Sequence, residues 1–107
     1  MADSSTPRPS GYVLKFSAGK YQGGKYSLPA DSESIVGRTP EVEIVLLEDM
    51  VSRRHACITV SGDQVFLEDL RSANGTFVNG KRVSRCELMP GDNILIGTSI
   101  MRLDIDG

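Results

Sequence analysis

His55-Ala-Cys-Ile-Thr-Val60, Ser61-Gly62-Asp63, Gln64-Val-Phe-Leu-Glu-Asp69 is the stretch that decides the fold: two β-rich runs flank a compact turn. The same punctuation recurs downstream. Thr76-Phe-Val78 and Lys81-Arg-Val83 flank Asn79-Gly80, two residues that both accept positive φ and so give a strong hairpin signal. Towards the N-terminus, Tyr12-Val-Leu-Lys-Phe16 is β-rich. A loop with Gly19, Gly23 and Gly24 follows, and Lys25-Tyr-Ser-Leu28 alternates as a returning partner. Ser34-Ile-Val-Gly37 is a short apolar strand, and Glu43-Ile-Val-Leu-Leu47 reads as another beyond Pro40. Towards the C-terminus, Pro90-Gly91-Asp92 is a turn before Asn93-Ile-Leu-Ile-Gly97 and Ser99-Ile-Met-Arg-Leu-Asp-Ile105. The nearest approach to a helical stripe is Glu41 to Met50, weakened by Pro40 and by β-branched Val42, Ile44 and Val45. The expectation is an all-β chain, a β-sandwich of two antiparallel or mixed sheets, with its loops gathered at the ends. Binding residues usually sit on such loops.

The chain has 107 residues, enough for one domain with a single modest core. Residues 1–10 are rich in Ser, Thr and Pro and are expected to form a disordered tail, leaving 11–107 as the domain. The formal charge of −2 argues against nucleic acid, whose binders usually carry a large positive excess. Cys57 and Cys86 are too few for a disulfide framework or a zinc site, and Cys57, inside an apolar run, reads as a buried reduced thiol. No apolar run approaches the ~18 residues of a membrane span, and the first ten residues hold no apolar core of a secretory signal. A cytoplasmic location follows as the default. There are no paired carboxylates, metal cluster or nucleophile–base set, which speaks against an enzyme and against a cofactor. His55, the one histidine, has no nucleophile spaced with it.

What remains is a set of donors at strand ends. Gly37-Arg38 follows an apolar strand. Val51-Ser52-Arg53-Arg54-His55 precedes another, and Ser72-Ala73-Asn74-Gly75 leads into a third. Arginine presents a planar fork of donors that never loses its charge, and serine a hydroxyl that rotates to meet an acceptor. Loops holding such groups suit an anionic ligand. In an extended segment Arg53 and Arg54 would point to opposite faces, so the two are not expected to share one role. Asp49 reads as a loop-stabilising or solvated carboxylate.

Taken in order, these motifs resemble the forkhead-associated (FHA) domain. The pattern is Gly37-Arg38, Ser52-Arg53-Arg54-His55, Asp69-Leu70-Arg71-Ser72-Ala73-Asn74-Gly75-Thr76, Val78-Asn79-Gly80, then Leu88, Pro90-Gly91-Asp92 and Ile94-Leu95-Ile96-Gly97. The likeness covers roughly residues 12–106. It implies an eleven-stranded β-sandwich that binds phosphothreonine peptides through loops at one end, without catalysis. A phosphothreonine carries about −1.5 to −2 charge and three acceptor oxygens. By the resemblance Arg38, Ser52 and Arg53 contact that phosphate. Asn74, both donor and acceptor, pairs with the peptide backbone beside it. Gly37, His55, Gly75 and Asn79 support the loops, with Asn79 implied to help hold the binding loop as well as to turn its hairpin.

Two residues depart from the family pattern. Ala73 stands where many members carry a hydroxyl that could touch the phosphate. Met50 lies where some members carry an arginine that favours an acidic residue three places after the phosphothreonine, and methionine would tolerate an apolar one. The partner expected is therefore a phosphothreonine-containing protein or peptide made by a Ser/Thr kinase. Thr6-Pro7 offers a further possibility: phosphorylated Thr6 binding the site of its own or a neighbouring molecule. The missing hydroxyl at Ala73 keeps an alternative open, an interaction or self-association domain of the same fold that no longer depends on phosphate.

Overall fold

A computed structural model describes residues 8–106. Eleven strands and no helix are found among them: β1 Pro9–Ala18, β2 Lys25–Pro29, β3 Glu33–Gly37, β4 Ile44–Val45, β5 Ala56–Ser61, β6 Gln64–Asp69, β7 Thr76–Val78, β8 Lys81–Arg82, β9 Arg85–Leu88, β10 Asn93–Ile96 and β11 Ser99–Ile105. They form two sheets, ordered β2-β1-β11-β10-β7-β8 and β4-β3-β5-β6-β9. The β3–β4 pairing is parallel and the other ladders are antiparallel.

Period-two alternation carries the sandwich. Leu14, Ile94, Ile96, Met101 and Leu103 point inward from the first sheet, and Val36, Ala56, Ile58, Val60, Val65, Leu67 and Leu88 from the second. All are buried in one shared core. Cys57 is buried and free, as expected. The two hairpins that anchor the sequence reading form as expected. Ser61 pairs with Gln64 around Gly62-Asp63, and Val78 pairs with Lys81 around Asn79 (φ 51°) and Gly80 (φ 84°).

Several boundaries differ from expectation. The strand expected at Tyr12 starts at Pro9, where Pro9 pairs with Pro29 and the carbonyl of Arg8 accepts the Ala30 N–H. Residues 9 and 10 are therefore sheet rather than tail; the tail's first seven residues, Thr6 among them, lie outside the described residues. The strand expected over 43–47 shrinks to Ile44–Val45. Leu46 still donates to the Gly37 carbonyl, but the chain then turns, leaving Leu47 and Met50 exposed. β9 was not legible as a strand. It lies at a sheet edge, with only Cys86 and Leu88 turned toward the core between exposed Arg85 and Glu87.

Register decides where the loops gather. Val36 pairs with Ala56, and Ala56 with Asp69. The chain therefore leaves β3 at Arg38, enters β5 from His55 and leaves β6 at Leu70, all at one end of one sheet.

Candidate functional site

Ser52 is the node of that end. Its carbonyl accepts the Arg38 N–H at 3.1 Å, its N–H donates to His55 Nδ1 at 3.0 Å, and its Oγ accepts the Ala73 N–H at 3.0 Å. One residue thus binds the loops after β3, before β5 and after β6. Because Oγ is used as an acceptor, its own proton remains free to donate outward. Arg38 is drawn in by a shared bond, its N–H also reaching the Arg53 carbonyl at 3.2 Å. Gly37 permits that approach, for a Cβ there would overlap the Arg53 carbonyl oxygen.

His55 is fully buried and holds three segments. Its Nδ1 accepts from Ser52, so Nε2 carries the proton and donates to the Gly75 carbonyl at 2.8 Å. Its backbone N–H donates to Val36 and its carbonyl accepts from Leu70. Both ring nitrogens are thus engaged within the chain. Asn74 ties the loop after β6 to the loop before β5, its Nδ2 donating to the Met50 carbonyl at 2.9 Å. Among the described residues its second amide hydrogen and Oδ1 have no partner.

Other side chains brace this end that the sequence reading gave no role of their own. Asp69 Oδ1 accepts from Ser72 Oγ at 2.5 Å and Thr76 Oγ1 at 2.7 Å, and Oδ2 accepts from Ser72 N–H at 3.0 Å. Ser72 Oγ in turn accepts the Gly75 N–H at 2.9 Å. Burial alone would raise the Asp69 carboxyl, but the bonds from Ser72 and Thr76, with His55 nearby, hold it below its ordinary value. An Asp followed three residues on by Ser is a loop-building pattern that would have pointed there. Glu48 gave no such signal, because its partners lie 50 residues away. Its Oε1 accepts from Thr98 N–H (2.8 Å) and Oγ1 (2.6 Å), and its Oε2 from Ser99 Oγ (2.5 Å). Burial opposes ionisation here too, and the hydroxyl and amide donors outweigh it, leaving Glu48 below its ordinary value. Lys20 and Tyr21 add a second clamp, Lys20 Nζ donating to the Leu47 carbonyl and Tyr21 Oη accepting the Leu47 N–H.

The cations of this end stand in contrast. Arg38 is half-buried, and Arg53 and Arg54 are exposed. Among the described residues none of the three has a carboxylate within 4 Å. The segment from Ser52 to Arg54 bends rather than running extended. Arg53 and Arg54 consequently line one groove of about 600 Å³ with Thr39, Glu41 and Val42, instead of facing apart. Asp49 is exposed, without a partner among the described residues. Met50 and Ala73 are also exposed.

Asn79 sits elsewhere. Its Nδ2 donates to Asp92 Oδ1 and its Oδ1 accepts the Asn93 N–H, both at 3.0 Å. It braces the turn before β10, at the opposite end of β7 from Thr76, so the loop it holds is not the one carrying Ser52. Among the described residues no group of three His, Cys, Asp or Glu side chains is placed to hold a metal ion, and no helix is long and apolar enough to cross a membrane.

A helix-free two-sheet sandwich with donor-bearing loops tied together at one end, and unpaired guanidinium groups upon them, defines a class of small recognition domain. The chain belongs to the forkhead-associated family: the FHA domain pattern matches residues 34–97. The glycogen accumulation regulator GarA of Mycolicibacterium smegmatis is 37% identical over 90 residues, covering 83% of this chain and 56% of that protein. Mycobacterium tuberculosis EmbR, solved in complex with a low-affinity phosphopeptide, is similar at 34% identity with a TM-score of 0.80 over 88% of this chain and 24% of that one. A domain solved in a study of phosphothreonine-dependent FHA interactions gives the same identity and TM-score over 88% of this chain and 95% of the other. The chain spans less than two thirds of the length of the curated relatives it matches.

Proposed function

We propose that the chain is a phosphothreonine-peptide-binding module that recruits phosphorylated proteins. The observation that carries this reading is the state of Ser52. Its oxygen accepts the Ala73 N–H in holding the loops together, and its hydroxyl proton has no acceptor among the described residues. Arg38 and Arg53, whose backbones meet at that same node, carry no counter-charge there. A ligand with several acceptor oxygens and up to two negative charges answers both needs. Arg38, Ser52 and Arg53 take the phosphate. Asn74 takes the peptide backbone through the amide hydrogen and carbonyl that Met50 leaves free. Gly37, His55 and Gly75 keep the loops in register, Asn79 stiffens a neighbouring turn, and Met50 and Ala73 border the peptide with uncharged surface.

The module acts by binding and not by catalysis. The two thiols support this, since burial pushes both Cys57 and Cys86 up, away from the reactive thiolate. It needs no cofactor, works in the cytoplasm, and forms one binding domain whose first strand begins at Pro9. Titration of one peptide in phosphorylated and unphosphorylated form tests the function. Binding only of the phosphorylated form, with a dissociation constant on the order of micromolar, is expected. Equal binding of both would favour the reading that Ala73 suggests, an interaction domain freed from phosphate.

A further inference from the structure

One cation near the recognition end stands on a strand rather than a loop. Arg82, on β8, pairs across the hairpin with Phe77. Its side chain lies against the backbone of Gly75: Nε is 2.8 Å and Cζ 3.1 Å from the point a Cβ of residue 75 would occupy, with Phe77 Cε1 at 3.3 Å. Gly75, at φ +92°, therefore both turns the loop and leaves the space that the guanidinium fills. The next residue along is Asn74. Three arginines away from this end are engaged: Arg8 and Arg102 pair with Asp31 and Asp104, and Arg85 lies over the Phe66 ring. Arg82 is exposed, and among the described residues it has no hydrogen bond and no carboxylate within 4 Å.

We infer that Arg82 is a specificity-determining residue, selecting phosphopeptides that carry an acidic side chain beside the segment held by Asn74. The inference rests on the phosphopeptide reading above. A guanidinium offers a planar fork to a carboxylate. Here the fork is held on a short hairpin against the backbone of the binding loop, so little freedom is lost on engaging a ligand. Met50, whose carbonyl holds Asn74, and Ala73, its chain neighbour, are uncharged and do not compete for the acid.

The test is a phosphothreonine peptide with a single Asp, Asn or Lys moved through the three positions on either side of the phosphothreonine. Each peptide is titrated by fluorescence anisotropy against wild type, Arg82→Gln, Arg82→Lys and Arg82→Glu, with circular dichroism confirming that each variant folds. At one position wild type is expected to prefer Asp to Asn by about two- to fivefold, the range for an exposed ion pair. Arg82→Gln should bring that ratio to one, Arg82→Lys should keep part of it, and Arg82→Glu should prefer Lys. An Asp preference that survives Arg82→Gln, or wild type indifferent to Asp at every position, overturns the inference while leaving phosphate recognition standing. Wild type binding the acid-free peptide equally with and without its phosphate overturns the functional reading itself, and this inference with it.

Discussion

Replacing Gly37 with Ala tests whether the loops are held in one arrangement. Gly37 is buried at the end of β3 and does not have a positive φ, so alanine costs nothing in backbone conformation there. The cost is steric. The added methyl would overlap the Arg53 carbonyl oxygen and lie 2.8 Å from the Arg53 carbonyl carbon and 3.2 Å from Arg54 Cα. These are backbone atoms, which cannot rotate away as a side chain would. Inserting a methyl into a packed site costs ~1–3 kcal/mol. The displaced carbonyl is also one acceptor of the Arg38 N–H, worth ~1 kcal/mol more. A loss of about 2–4 kcal/mol is expected, which in a domain of this size lowers the melting temperature by roughly 10–25 °C. Because the moved segment carries Ser52 and Arg53, phosphopeptide affinity should fall at least about tenfold at a temperature where the variant is still folded. Thermal denaturation and anisotropy titration of the same preparation read the two effects. A variant melting within 2 °C of wild type, and binding as tightly, would show that the contact between residues 37 and 53 does not set the site.

Arg38→Ala should remove about 2–5 kcal/mol of binding, enough to abolish a micromolar interaction, and near-normal affinity by calorimetry would refute its role. Glu48→Ala strips the acceptor from Thr98 and from buried Ser99, and should cost ~2–3 kcal/mol of stability in denaturant titration; an unchanged midpoint would mean the clasp is idle. Two acid transitions should separate. The second phosphate proton titrates near pH 6, so affinity weakens as pH drops from about 7 to 5. Asp69 and Glu48 have folded values below their ordinary ones, so their stabilisation is complete above about pH 4.5 and is lost only as pH falls through those lowered values. Circular dichroism should therefore stay constant through the range in which anisotropy declines, and coincident loss would contradict this. Phosphorylation of Thr6, checked by mass spectrometry, should lower affinity for an added phosphopeptide; unchanged affinity and unchanged size on a sizing column would remove self-binding.

The fold was legible where two signals coincided: alternation and a turn that only certain residues make. Gln64 to Asp69 alternates cleanly and follows Gly62-Asp63, and its boundaries fall as read. Asn79-Gly80 forced a hairpin at its expected register. β9 lacked both signals, since Cys86 and Leu88 supply too little apolar pattern for an edge strand. The length of β1 depended on Pro29 and Asp106, residues far along the chain, which no local window contains. In the site, the donor types were visible because function demands particular side chains, whereas the groups holding them were hidden by distance. Glu48 finds its donors across 50 residues, and the closeness of Arg53 to Arg54 in one groove comes from a bend that an extended reading of the segment missed.

Partnership separates holders from binders at the recognition end. Asp69, Ser72, Thr76, Glu48 and His55 have their hydrogen-bonding groups occupied inside the chain, and no buried side-chain polar atom among the described residues lacks a partner. Removing any one of them leaves a desolvated group elsewhere, so their substitution should register first in stability. Arg38 and Arg53, the proposed phosphate contacts, have no such obligations among the described residues, and like charges brought to one end repel without a ligand. Their substitution should register first in affinity and leave stability nearly unchanged, or slightly improved at low salt. Ser52 belongs to both sets, because its oxygen holds the Ala73 N–H while its proton has no acceptor among the described residues. Ser52→Ala should therefore lower stability and affinity together, and Ser52→Thr, which keeps the hydroxyl, should restore part of both. If Ser52→Ala weakened binding with no change in melting temperature, the bond between Ala73 and Ser52 would contribute nothing to holding the loops, and the division between holders and binders would fail at its shared member.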